Sequence, residues 1–204
     1  MIFTESVPFH VLFGTFMWIL IQHPSDPRNR IVGFGNRHSF DSGEPGVQIW
    51  TTLPEDFGSP GYGERRAAEI EVHLTSISVQ KDDLFWLFDY WTSHSEDFRQ
   101  YLWAHRSEDV QKAREILSIL PPATVLRILR YLVTDYWGRF VGWPDLLVHN
   151  EKGFFFAEVK SSSDKLSEDQ KNWIRGNDAE LELPFAMVKI HKKAVIVVSG
   201  EKEL

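Results

Sequence analysis

The apolar residues of the chain change texture three times. The run "VPFHVLFGTFMWILI" (7–21) is apolar on every face and includes one histidine, His10. Pro8 stands where a first helical turn accepts proline, and Pro24 and Pro27 follow where a helix must stop. The pattern predicts a helix buried in a core. At 15 residues it is shorter than the ~20 needed to span a bilayer. No basic segment precedes it, so it is also a poor signal peptide.

Residues 25–63 are rich in Gly, Pro, Ser and Asp and read as an extended connection, with a short strand at "VQIWTTL" (47–53). From Glu64 the spacing turns helical. In "ERRAAEIEVHLTSI" the apolar positions Ala67, Ile70, Leu74 and Ile77 share one face. "DDLFWLFDYWTSH" opens on two acids, favourable at a helix N-terminus. "SEDFRQYLWAH" and "SEDVQKAREILSIL" each open on Ser followed by acids, an N-cap signal. "PPATVLRILRYLVTDYW" places Leu126, Leu129, Leu132 and Val133 together. Roughly five helices are expected over 64–137.

The last texture is that of strands. "PDLLVHN" and "FFFAEVKS" are short apolar runs joined by "NEKG", a hairpin signal. "LSEDQKNWI" opens a helix, with Ser167 and Gln170 spaced as a capping box. "FAMVKIH" and "KAVIVVS" predict two further strands. The sum is an α/β core at the C-terminal end, with the helical block and the first helix packed around it.

Composition changes this picture little. The chain has 204 residues, 43% hydrophobic and 14% aromatic, enough for one full core. It has no cysteine, which excludes disulfides and Cys-ligated zinc. The eight histidines form no H-x₃-H pair and read as structural or surface residues. A net charge of −7 argues against a sequence-tolerant basic coat for nucleic acid and leaves room for a local basic groove.

The chemistry concentrates at the two strands. Asp145 follows Pro144 at the start of one, and Glu158, Val159 and Lys160 close the other. Strand residues alternate faces, so Glu158 and Lys160 point to one side. Two carboxylates and the Val159 carbonyl would suit Mg²⁺ or Mn²⁺, and the lysine could orient a water or offset charge on a phosphate. The spacing alone leaves open whether these are solvated strand ends. Arg127 and Arg130 lie three apart on the helix leading in, as a phosphate track or as a solvated face. Most Trp and Tyr residues read as core packing; Trp137 and Trp143 flank the motif and are the candidates for base stacking.

Gly142, Pro144, Asp145 and Leu146, then Glu158-Val159-Lys160, then Leu166, Ser167 and Gln170 resemble the PD-(D/E)xK nuclease core in its virus-type replication-repair (VRR-NUC) form. More weakly, the rest of the chain is similar to the C-terminal nuclease domain of the Fanconi-associated nuclease family. The resemblance implies an α/β, restriction-endonuclease-like core, a mixed sheet flanked by helices. It implies one domain over 1–204, with an N-terminal helix (1–24), a helical insertion (64–137) and a catalytic core (138–204). It implies metal-dependent, structure-selective hydrolysis of flapped or branched DNA in repair, using one or two Mg²⁺ or Mn²⁺ ions. Asp145, Glu158 and the Val159 carbonyl would hold one ion, and Glu5 and Glu158 a second. Lys160 would be the catalytic lysine and Gln170 its support. Where animal members grip a terminal 5′ phosphate with an arginine and a lysine, this chain has Trp137 and Asp169, with Arg139, Lys165 or Lys171 as substitutes. The helical insertion implies a monomer on flapped DNA. The resemblance implies an intracellular protein with no membrane partner, in the nucleus if eukaryotic and in the cytoplasm or nucleoid if bacterial. The alternatives are a dimeric Holliday-junction resolvase and an inactive nucleic-acid or protein-binding module.

Overall fold

A computed structural model describes residues 1–34, 49–77, 79–98 and 106–191. The strand expected over 193–199 and most of the helix expected over 95–105 lie outside them. The chain opens with β1 (Ile2–Phe3) and the long helix α1 (Val7–Ile21), buried along nearly its whole length. α1 is the axis of the core. Phe9 stacks on Trp143 with ring centroids 3.9 Å apart, Phe13 stacks on Tyr136, and Phe16 meets Phe88.

The connection after α1 is more ordered than its composition suggests. β2 (Asn29–Phe34) pairs antiparallel with β3 (Ile49–Pro54) as a separate two-stranded sheet. The expected strand is present, and its partner "NRIVGF" was hidden among polar and glycine neighbours. A short helix, α2 (Pro60–Arg65), also lies within the stretch whose composition predicts an extended connection. Its signal is in the sequence: Ser59 caps the Tyr62 N–H, and Pro60 occupies the first turn.

The helical block continues with α3 (Ala67–Ser76), α4 (Lys81–Phe98), α5 (Ser107–Ile119), α6 (Pro122–Thr134) and the single turn α7 (Tyr136–Arg139). Two boundaries differ from expectation. The helix expected from Glu64 breaks at Arg66, which leaves helical geometry (φ −101°, ψ 12°). There its guanidinium turns inward to Asp26 and the Leu20 carbonyl. At the other boundary, α4 runs through Ser95 without stopping. A serine caps a helix only where the chain breaks, and no Gly or Pro interrupts residues 81–98.

The second sheet has the order β1–β4–β5–β6, built from β4 (Leu146–Asn150), β5 (Gly153–Ser161) and β6 (Phe185–Ile190). β4 and β5 form the expected hairpin, and β1 adds to it antiparallel. Helix α8 (Glu168–Gly176) and a π-helical turn (Asn177–Leu181) carry the chain back, so β6 pairs parallel with β5. The Asn177 amide bonds both the N–H and the carbonyl of Leu183, fixing the return. Trp173 of α8 sits on Phe156 and Phe185 and covers one face of the sheet. Among the described residues no helix is long and apolar enough to cross a membrane.

Candidate active site

The site grows from a loop that must approach a helix closely. Gly142 has φ +80°, and a Cβ there would lie 2.2 Å from the Asp169 carbonyl oxygen. Glycine therefore lets the segment before β4 touch the first turn of α8. Trp143 is buried between Phe9 and Trp173 and donates its indole N–H to the Arg139 carbonyl. The next two residues are held from the far end of the chain. The Thr4 hydroxyl donates to the Pro144 carbonyl at 2.7 Å, and the Thr4 N–H donates to the Asp145 carbonyl at 2.9 Å.

The hairpin register pairs Leu146 with Ala157. Continued by one residue, it sets Asp145 opposite Glu158, with both side chains on the face that carries Leu147 and Phe156. Asp145 Oδ2 accepts the Val159 N–H at 2.8 Å. Glu158 is only 2% exposed, and its Oε1 accepts from Lys160 Nζ at 2.6 Å and from Gln170 Nε2. An unpaired carboxylate there would be costly; the lysine and the amide supply its partners. The hydrogen bond to Glu158, with help from the charge of Asp145 and against the pull of burial, holds the Lys160 ammonium above its ordinary pKa.

Gln170 serves two structures with one amide. Its Oε1 accepts the Ser167 N–H while Ser167 caps the Gln170 N–H, completing the capping box. The planar amide then turns Nε2 toward Glu158. A sequence signal for helix initiation thus also orients a site carboxylate.

Asp145 Oδ1 and Glu158 Oε2 accept no hydrogen bond among the described residues. With the Val159 carbonyl nearby they make a hard-oxygen set that suits Mg²⁺ or Mn²⁺ better than a soft metal. Glu5 follows Thr4 directly, so its backbone lies beside the site; its side chain is exposed, and its φ of +45° is left-handed. That is an uncommon conformation for a residue other than glycine, held here by the two Thr4 bonds. Among the described residues no group of three His, Asp or Glu comes together as a metal site.

The basic residues considered for DNA are mostly engaged. Arg130 makes a two-pronged pair with Glu71 at 2.9 and 2.8 Å, and Arg139 with Glu180 at 2.7 Å on both prongs. Arg139 also lies 4.4 Å over the Tyr131 ring and donates to Tyr131 and Thr134. Arg127 is 3.7 Å from Glu182, and Lys171 pairs with Glu168 at 2.6 Å. Lys165 is exposed before α8. Of the two tryptophans beside the motif, Trp143 is core, and Trp137 packs on Phe57 and Tyr136 while donating to the Phe57 carbonyl. Thr4 was not anticipated: nothing local marks a threonine as the partner of a loop 140 positions away.

A mixed sheet with helices on its face, with Asp145 facing Glu158 and a lysine two residues on, has the restriction-endonuclease-like α/β fold of the solved structures it superposes on. The VRR-NUC domain family model matches residues 86–180, so that part of the chain is similar to that family. A Fanconi-associated nuclease 1 homolog from Arabidopsis thaliana is 26% identical over 181 residues, 85% of this chain and 18% of that protein. One from Schizosaccharomyces pombe is 38% identical over 82 residues, 39% of this chain and 12% of that protein. Among solved structures, paFAN1 bound to DNA with a two-nucleotide 5′ flap and a gap superposes with a TM-score of 0.61 at 22% identity. That match covers 96% of this chain and 32% of the other. A complex with a one-nucleotide flap matches equally well at 23% identity. The chain therefore spans less than a fifth of the curated relatives and about a third of the solved ones.

Proposed function

We propose that this chain is a divalent-metal-dependent DNA nuclease that hydrolyses phosphodiester bonds in flapped or branched DNA, with 1–204 acting as one nuclease unit. The observation that carries the reading is the Glu158 carboxylate, buried opposite Asp145 and held jointly by Lys160 and Gln170. A structural ion pair would need only the lysine. The added amide, and a facing carboxylate with an oxygen unbonded among the described residues, suit a site that receives a cation. Relatives named as Fanconi-associated nucleases, and the likeness to paFAN1 on flap DNA, favour DNA with 5′ flaps as the substrate.

Asp145, Glu158 and the Val159 carbonyl would hold Mg²⁺ or Mn²⁺, which supplies a polarised phosphoryl oxygen and a more acidic water. Lys160 presents positive charge where negative charge grows on the phosphate during attack. Gln170 keeps Glu158 from rotating away, and Thr4 keeps Asp145 at the sheet end. Glu5 would join a second ion only if its exposed side chain swings toward Asp145.

The test is cleavage of labelled flap, splayed and four-way DNA with Mg²⁺, with Mn²⁺ and with EDTA. Flap cleavage should require the metal. Asp145→Ala and Glu158→Ala should lose it while DNA binding and cooperative melting survive. Cleavage that persists in EDTA would overturn the proposal.

A further inference from the structure

If the chain cuts DNA, its site must attract a polyanion although the chain carries a net charge of −7. Most of the cations that the sequence offers for this, exposed Lys165 excepted, are already balanced. Arg127, Arg130, Arg139 and Lys171 each face a carboxylate, and Lys160 is bound to Glu158. An arginine held on two prongs by a carboxylate has its fork filled and its charge balanced.

β6 brings a different cation to the site. Its parallel register with β5 sets Met187 beside Glu158 and Lys189 beside Lys160. Register partners share a face, and Phe185, two turns of the pleat before Lys189, lies on Trp173 on the same face. Lys189 therefore stands on the site face, one strand over from Lys160, about 4.8 Å away in backbone spacing. It is exposed, as is Met187, and it makes no ion pair or hydrogen bond among the described residues. Both lysines lie toward the carboxyl ends of parallel strands, the edge at which α/β sheets commonly bind ligands.

We infer that Lys189 is a substrate-binding residue of this site: it contacts a DNA backbone phosphate next to the one that Lys160 faces, with Met187 as the apolar floor under the intervening sugar. The inference rests on the nuclease reading and adds to it a strand edge along which the DNA backbone runs, from β5 onto β6. Lysines also appear on strand edges to discourage unwanted pairing between chains, and the experiment separates that role.

Binding of a labelled 5′-flap duplex to the full chain is measured by anisotropy with Ca²⁺, between 0.05 and 0.2 M salt, for the parent, Lys189→Gln, Lys189→Arg and Lys152→Gln. Lys152 is an exposed cation at the other end of the hairpin, roughly 25 Å away by strand rise. Loss of one phosphate contact should lower the slope of log affinity against log salt by about 0.9. Lys189→Gln should show that loss, with an affinity several-fold weaker at 0.1 M salt and a raised KM in Mg²⁺ cleavage. Lys189→Arg and Lys152→Gln should keep the parental slope. An unchanged slope in Lys189→Gln, or an equal fall in Lys152→Gln, overturns the inference. So does Lys189→Gln changing only self-association in a sizing column. If the parent chain cuts no DNA with Mg²⁺ or Mn²⁺, the nuclease reading has failed instead, a result separate from any difference among the variants.

Discussion

At the scale of single residues, the site is a set of side chains that each satisfy a buried polar neighbour. Lys160 neutralises Glu158, and Glu158 in turn holds Lys160 in its charged form. In the proposed reaction the ammonium would stabilise charge in the transition state more than bind DNA in the ground state. Lys160→Gln should lower kcat about 10²–10³-fold, the range for removing one preorganised electrostatic donor, with KM little changed. Steady-state kinetics on a flap substrate check this; a raised KM at constant kcat would make Lys160 a binding residue instead. The pair Glu158 and Lys160 was legible because strand alternation puts i and i+2 on one face. Thr4 was not legible, since its hydrogen bonds reach a loop with no sequence relation to it.

At the scale of elements, α8 ties a helix-initiation signal to the candidate site. Its capping box starts the helix and aims Gln170 at Glu158. Ser167→Ala should cost about 1 kcal/mol, as N-cap losses typically do, lowering the melting temperature by about 2–4 °C for a chain of this length. It should also reduce cleavage, because losing the Oγ cap frays the first turn that positions Gln170, although the Oε1 bond is to the Ser167 backbone N–H, which alanine keeps. Ser167→Thr should restore both. Calorimetry together with the flap assay checks the coupling; a stability loss with full activity would separate the cap from the site. The capping box could be read from spacing, as could the β4–β5 hairpin, because both are local devices. The break at Arg66 could not, since it depends on the buried Asp26 that its guanidinium meets.

At the scale of the whole molecule, a second buried ionic cluster ties the C-terminal end of α1 to α2 and α3. The Asp26 side chain is fully buried and pairs with Arg65 at 3.1 Å and Arg66 at 2.8 Å, while Asp56 pairs with Arg65 and Arg28. Burial pushes the Asp26 carboxyl up, but the Arg28 N–H and the two guanidinium groups outweigh it and hold it below its ordinary pKa. The Arg65 hydrogen bond does the same for Asp56. A depressed carboxyl stabilises the fold at every pH above its unfolded value of about 3.9, and that stabilisation is lost as pH falls through the folded value. Thermal stability should therefore be level near neutrality and fall below about pH 4. Asp26→Asn should cost about 3 kcal/mol at pH 7, because it leaves buried Arg66 poorly compensated, and the gap from the parent should narrow toward pH 3. Melting curves across that range check the sign. By itself, the sequence determined the elements whose cause is local: α1 from its unbroken apolar run, the hairpin, the cap of α8, and the motif residues on one strand face. Only the tertiary structure decided which distant groups meet. β1 joins β4 and brings Thr4 to Asp145, Glu180 and Glu71 occupy the arginines that a reading of charge would assign to DNA, and β6 sets Lys189 beside Lys160. The reason is physical: periodicity and capping act within a few residues, whereas a buried charge takes whichever partner the packed core brings within a few ångströms.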